Sequence, residues 1–363
     1  MTKSSGSRPI GDRRARISDV AAAAGVSTAT VSRALTYPER LRPDTREHVL
    51  QAIRALGYTP HEAARSLRAG ESRMVLVVIA YLYSGAFFSR VINGIESELS
   101  ASGYTVITGS LDGEEGKARR LVDLVYARQI DGVIVLTGHV PVFDGRSILE
   151  AGVPVVAVCA KLDHPGLPSV LINDEECAKI QTQHLIDLGH RRLIYVSGVE
   201  GHYNEVKRYA GYLKSAKAAG LKGSDSLRLA GNYSFESGAD AARAFLQLKD
   251  RPTGVVCCSD ELAIGFMKTV TGAGLRCPAD VSIVGFDGIE FADYCEPTLT
   301  TIRQPRELLG AEGARILLQE LNAVESRKSS SRVLRGELLI RASSGPPPRL
   351  RRKQVLRVAA AAR

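Results

Sequence analysis

Residues 17 to 36 read Ile17-Ser-Asp-Val-Ala-Ala-Ala-Ala-Gly-Val-Ser-Thr-Ala-Thr-Val-Ser-Arg-Ala-Leu-Thr36. Ile17, Val20, Ala21 and Ala24 recur at helical spacing, so one face of a first helix is apolar. Gly25 then stops it, because a tight turn needs a residue that tolerates left-handed φ. Ser27 is placed to cap a second helix that carries Val31, Ala34 and Leu35 inward. Ala21 is small enough for the two helices to touch, and Val20, Val26, Val31 and Leu35 anchor them. This is a helix-turn-helix pattern. Ser27, Thr28, Ala29, Thr30, Ser32 and Arg33 are left facing outward. A third helix is expected from Pro43, a favoured first helical residue, through Val49, Ile53 and Leu56 to Gly57.

Outward from this unit the charge is uneven. The 363 residues carry a formal net charge of +9, but residues 1–72 hold +5, residues 345–363 hold +6 and the body between is slightly acidic. A basic head and tail suit an anionic polymer. The outward face of the second helix has the right chemistry for the major groove of DNA: Arg33 can bond guanine bidentately, and the hydroxyls can reach phosphates or bases. Solubilising termini and a solvated polar face are the structural alternatives, and the helix-turn-helix spacing weighs against them.

From Met74 the texture changes to β-branched runs alternating with helical stretches. Strands are expected at Val75 to Ala80, Tyr104 to Thr108, Gly132 to Leu136, Val153 to Val158, Leu193 to Ser197, Gly254 to Cys258 and Val281 to Phe286. Apolar runs separated by helices imply parallel, doubly wound sheets, and seven such runs are too many for one small sheet. Two α/β lobes are therefore expected. The domain boundaries follow: a disordered basic arm at 1–14, the helix-turn-helix domain at 15–59, a hinge at 60–71, a two-lobed body at 72–341 and a disordered basic tail at 342–363.

Several classes are disfavoured. No apolar run reaches the ~18 to 20 residues of a membrane span, and no apolar segment opens the chain, so a cytoplasmic location is expected. The six cysteines show no Cys-x-x-Cys pair and no zinc-ligand spacing, which reads as reduced, mostly buried thiols. Gly113-Glu-Glu-Gly-Lys117 falls short of a phosphate loop, because Leu111 takes the place of the first glycine and Ala118 that of the Ser/Thr. No nucleophile elbow and no dinucleotide fingerprint occurs, since Gly272-Ala-Gly274 continues to Cys277. Neither enzyme activity nor a cofactor nor a metal is expected.

The segments Asp19-Val-Ala, Ala24-Gly-Val-Ser27, Thr30-Val-Ser-Arg33 and Leu56-Gly-Tyr-x-Pro60 resemble the head of LacI/GalR-type transcriptional regulators. The resemblance runs through the body, over Phe87-Phe88, Gly94-Ile-Glu96, Gln129-Ile-Asp-Gly132, His184 to His190, Ser259-Asp260, Asp280 to Asp287 and Pro297 to Pro305. It implies a small all-α helix-turn-helix head joined to a periplasmic-binding-protein-like α/β body of two lobes, acting as a homodimer on double-stranded operator DNA. Ala64-Arg-Ser-Leu67 resembles the family's hinge helix, with Leu67 as the wedge at the operator centre. In the cleft, the resemblance implies an effector, a sugar or a nucleoside, stacked by Phe87, Phe88 and Tyr233, clamped by Arg208 and hydrogen-bonded by Asp260. His202, expected in one loop with Arg208, is a further candidate, and Asp287 is expected to be a turn residue. Phe87 and Phe88 could instead be plain core, and Arg208 could pair with a local acid. Arg16 and Arg42 stand where the family places capping hydroxyls, which puts those caps in question and adds two phosphate contacts. Cys159 stands where relatives carry Asp or Asn. A solute-binding protein of the same two-lobed fold is the rival reading, and the head argues against it.

Overall fold

Side-chain spacing in the first sixty residues is realised as three helices in the computed structural model, which describes residues 15–58, 71–79, 85–111, 115–221, 227–323 and 331–348. They are α1 (Ile17–Ala23), α2 (Thr28–Thr36) and α3 (Pro43–Leu56). Val20, Ala21, Val31, Ala34, Val49 and Ala52 are buried together, with Val26, Leu35 and Ile53 packed against them. Leu56, expected inside, is 40% exposed. Gly25 and Gly57 hold φ of 64° and 58°, the left-handed region that spares glycine the Cβ penalty. Residues 60–70 of the hinge expected at 60–71, Leu67 included, the arm at 1–14 and the last part of the expected tail, 349–363, lie outside the described residues.

Contacts divide the chain into two units, Met1–Ser72 and Arg73–Arg363. In the second unit the chain runs β1 (Met74–Ile79), α4 (Gly85–Ala101), β2 (Thr105–Ser110), α5 (Glu115–Tyr126), β3 (Gly132–Val135), a hairpin of β4 (Val142–Phe143) and β5 (Arg146–Ser147), then β6 (Val155–Val158) and β7 (Ser169–Ile172). It continues as α6 (Asp174–Asp187), β8 (Leu193–Val196), α7 (Tyr203–Ala218), β9 (Arg228–Leu229), α8 (Phe235–Leu246), β10 (Gly254–Cys257), α9 (Asp260–Gly272) and β11 (Ser282–Asp287). The short α10 (Phe291–Tyr294), β12 (Thr300–Arg303), α11 (Arg306–Leu321), β13 (Arg332–Leu334) and β14 (Glu337–Leu339) complete it.

Two sheets result, ordered β13-β7-β6-β3-β1-β2 and β14-β12-β11-β10-β8-β9. Every pairing in them is parallel except that of β12 with β14. β1, β3, β6, β8, β10 and β11 are buried almost throughout, as strands covered by helices on both faces must be. The expected doubly wound α/β architecture with two lobes is thus present. The chain crosses between lobes after β7, after β12 and between β13 and β14. Beneath the crossover into α11, Gly94 and Gly310 let that helix lie directly on α4: a Cβ on either glycine would overlap the backbone of the other helix.

The expected tail begins too early. Residues 342–348 are held to the second lobe: buried Ser343 donates to Ile283 O at 2.6 Å, and His190 Nε2 lies 2.9 Å from Gly345 O. The Gly-Pro-rich texture signalled the lack of helix and strand but could not show that these polar groups find buried partners.

Candidate functional site

The outward face of α2 is shaped by its own cap. Ser27 Oγ accepts from Thr30 N–H at 3.2 Å and lies 2.9 Å from Thr30 Oγ1, so two of the expected hydroxyls are partly engaged in starting the helix. Thr28, Ala29 and Arg33 are exposed. Arg33 Nε reaches Ala29 O at 3.4 Å, which props the guanidinium along the helix. Arg16 and Arg42 are both exposed and give their helices no side-chain cap. At α1 the Arg16 N–H instead donates to Asp19 Oδ2 at 2.8 Å, and at α3 the start is set by Pro43.

Both lobes carry the strand order of an open doubly wound sheet, whose ligands bind in the crevice outside the carboxyl ends of the strands. A cavity of about 320 Å³ lies there. Each wall follows a strand end: Phe87 and Phe88 after β1, Leu136 to His139 after β3, Cys159 after β6, His202, Asn204 and Arg208 after β8, Tyr233 after β9, Asp287 at the end of β11 and Gln304 after β12. Six described non-glycine residues have positive φ, and three of them, Cys159 (65°), Tyr233 (67°) and Asp287 (115°), line this cavity. Strained backbone persists where packing over-determines it, and functional sites are where it concentrates.

Phe87 meets Phe88 edge-on with centroids 5.2 Å apart. Phe87 is core on one side and cavity wall on the other. Tyr233 lines the cavity from the second lobe, lying so close over Gly198 that a Cβ there would overlap the ring. His202 caps the start of α7 rather than sharing a loop with Arg208, which sits on that helix. Its ring meets that of His139 of the first lobe edge-on with centroids 5.6 Å apart and lies tilted 6.3 Å from the Tyr233 ring. Burial, helped by His139, lowers its pKa.

Arg208 is buried and lies 3.7 Å over the Phe286 ring. It donates from Nε to Asp174 Oδ1 at 2.8 Å, from Nη1 to Cys258 O at 2.6 Å and to Asp287 Oδ1 at 3.4 Å. The cation is therefore at the cavity and also paired with local acids. Gln304 Nε2 donates to Asp287 Oδ1 at 2.6 Å, and Asn204 ties the lobes by donating to Cys159 O at 2.8 Å and Asp174 Oδ2 at 3.2 Å. Burial raises the Asp174 carboxyl, opposed by Arg208. Burial likewise pushes Asp287 up to about 6, against the opposing charge of Arg208 and the hydrogen bond from Gln304.

Two expectations about acids are exchanged. Asp260 is fully buried behind the cavity and is not part of its wall. Its Oδ1 accepts from Thr301 Oγ1 at 2.5 Å and its Oδ2 from Ile289 N–H at 2.8 Å, so it fastens α9 to β12 and the loop after β11. Asp287, expected as a turn residue, is the carboxylate at the cavity. Both acids follow a buried strand, and only the fold separates them. His139, Asn204 and Gln304 were missed. Their one signal was position just beyond a strand's carboxyl end.

Residues 16–61 match the family described as bacterial regulatory proteins, lacI family, and residues 182–344 match the periplasmic binding protein-like domain. The chain is 34% identical over 339 residues to the HTH-type transcriptional repressor CytR of Escherichia coli K12, covering 92% of this chain and 97% of that protein. It is 33% identical to catabolite control protein A of Priestia megaterium, covering 84% and 92%. Among solved structures, the lac repressor dimer bound to operator and the anti-inducer ONPF aligns with a TM-score of 0.78 at 26% identity, over 92% of this chain and 100% of that one. The transcriptional regulator CelR in complex with cellobiose aligns at 0.70 and 30% identity, over 91% and 100%. Head and body together define a transcriptional regulator that joins a DNA-binding helix-turn-helix to an effector-binding domain, which sets aside the solute-binding rival. The chain belongs to the LacI family. No helix among the described residues is long and apolar enough to cross a membrane.

Proposed function

We propose that the protein is a homodimeric cytoplasmic repressor, without enzymatic activity, whose operator affinity is set by an uncharged ring-shaped effector bearing several hydroxyls, a sugar or a nucleoside. The observation that carries this reading is the cavity wall itself. Phe87, Phe88 and Tyr233 supply apolar faces, while Asp287, Asn204, Gln304 and the two imidazoles supply polar edges, the usual make-up of a small-molecule site. Arg208 is flanked by Asp174 and Asp287, so its charge is already answered, and no other Lys or Arg is among the described residues of the cavity wall to meet an anionic ligand. Asp260 supports the wall from behind. Effector binding shifts the balance between lobe arrangements, and operator affinity follows by linkage.

A thermal-shift panel of free sugars, nucleosides and sugar phosphates tests the effector class. Neutral compounds are expected to raise the melting temperature, by about 2.7 kcal/mol of added stability at a hundredfold excess over Kd. A response to phosphorylated compounds alone sinks the reading.

Operator reading is assigned to Arg33, with Ser27, Thr28, Ala29 and Thr30 beside it and Arg16, Arg42 and the Leu67 hinge as positioning contacts. Arg33→Ala is expected to cost about 1 to 3 kcal/mol and to flatten discrimination at one base pair. Arg16→Ala and Arg42→Ala weaken all sequences alike and reduce the salt slope. Binding-site selection with each variant separates the two behaviours, and an unchanged operator preference for Arg33→Ala refutes the assignment.

A further inference from the structure

The cleft has a fastening that is not part of its wall. Arg306, the first residue of α11, stands where the chain has just crossed from the second lobe to the first, with its side chain 10% exposed. Its Nη1 donates to Ala86 O at 3.2 Å, and Ala86 lies in the first turn of α4 immediately before the Phe87-Phe88 wall. Its Nη2 donates to Gly288 O at 2.9 Å, the residue that follows Asp287. Both terminal nitrogens also meet Glu290 of the same second-lobe loop at 3.3 Å. Glu290 in turn accepts from Arg90 Nε of α4 at 2.7 Å, and its carboxyl is pushed down to about 2, with Arg306 and Arg90 among the causes.

We propose that Arg306 is the positioning residue of the cleft: one guanidinium holds the aromatic wall of the first lobe and the Asp287 wall of the second in fixed register, and thereby sets effector affinity without touching the effector. Four acceptors in two lobes are met by one planar fork. A lysine, with a point charge and no fork, cannot satisfy them together. The Arg90–Glu290 pair is exposed on both sides and contributes little by itself, so the function rests on the sheltered Arg306. Its effect on affinity presupposes the effector cleft proposed above, whereas its bridging of the two walls does not.

The test therefore has two arms. In effector-free protein, hydrogen exchange of Arg306→Lys is compared with wild type. Faster exchange is expected together in the first turn of α4 and in residues 288–292, with the central strands unchanged. In the second arm, a neutral ligand found by thermal shift is titrated calorimetrically into wild type, Arg306→Lys, Glu290→Gln and the double variant. Affinity is expected to fall about tenfold in Arg306→Lys, less in Glu290→Gln, and by less than the product of the two in the double variant, because the partners share one network. A merely structural arginine gives additive effects and no coupled exchange. Exchange changes confined to α11, or an unaltered ligand affinity in Arg306→Lys, overturn the proposal. If no ligand of the panel binds wild type, the cleft reading is what fails, and the exchange arm alone decides the bridging role.

Discussion

Arg208→Ala is expected to cost the body roughly 3 to 5 kcal/mol of folding free energy, the range seen when one partner is removed from a buried ion pair. The physical cause is what remains behind. Asp174 and Asp287 are both buried, and without the guanidinium each loses its counter-charge, while Cys258 O loses the donor now 2.6 Å away. The Phe286 ring loses its stacked cation as well. Much of the damage is therefore a penalty for orphaned carboxylates rather than the net worth of the bridge, and this distinction is measurable. In Arg208→Met combined with Asp174→Asn and Asp287→Asn the charges are gone together, so the triple variant should recover a large part of the lost stability in denaturant unfolding. It should not recover effector binding, because the polar edge of the cavity has been rebuilt. A triple variant no more stable than Arg208→Ala would show that the carboxylates are not the source of the loss.

That pairing illustrates how far the sequence could be read. The head was legible almost residue by residue, since Val20, Gly25, Ser27 and Val31 act through contacts a few positions apart. Six of the seven expected strands, β1, β3, β6, β8, β10 and β11, were legible because runs buried on both faces leave little room for polar residues, and the edge strand β2 through its Val106 and Ile107. β4, β5, β9, β13 and β14 were not, being only two or three residues long. Neither were β7, which opens on a serine, and β12, which begins Thr300-Thr301, polar residues that are nonetheless fully buried because Ser343, Ser344 and Asp260 bond them. In the cleft, Phe87, Phe88, His202, Arg208 and Tyr233 all line the cavity. What the resemblance could not supply was partnership. The acids that answer Arg208 lie 34 and 79 positions away in the chain, brought together only when two lobes and a crossover are assembled.

Asp260 makes the same point as an expected result, the second large one. Asp260→Ala removes an acceptor for the Ile289 N–H and the Thr301 hydroxyl, both beyond the reach of water, and leaves a void against Gly285, which has no side chain to fill it. Each unsatisfied buried group costs about 1 to 3 kcal/mol, so a loss of roughly 2 to 5 kcal/mol is expected. Asp260→Asn keeps the shape and one acceptor and should lose less. Its pH dependence gives a second handle. Burial, reinforced by the charge of Asp287, raises the folded-state pKa of Asp260 well above its ordinary value. A carboxyl raised in this way contributes stability that is fully present below the unfolded pKa and is lost as pH rises through the folded one. Asparagine has no proton to lose, so the stability gap between wild type and Asp260→Asn should move in favour of the variant as pH is raised from about 4 toward 7. Urea unfolding across that window measures it. Effector affinity of the folded variant should be retained, since Asp260 acts behind the wall. An Asp260→Asn protein that folds as well as wild type at every pH yet no longer binds effector would return this carboxylate to the cavity and displace Asp287 from the role given to it here.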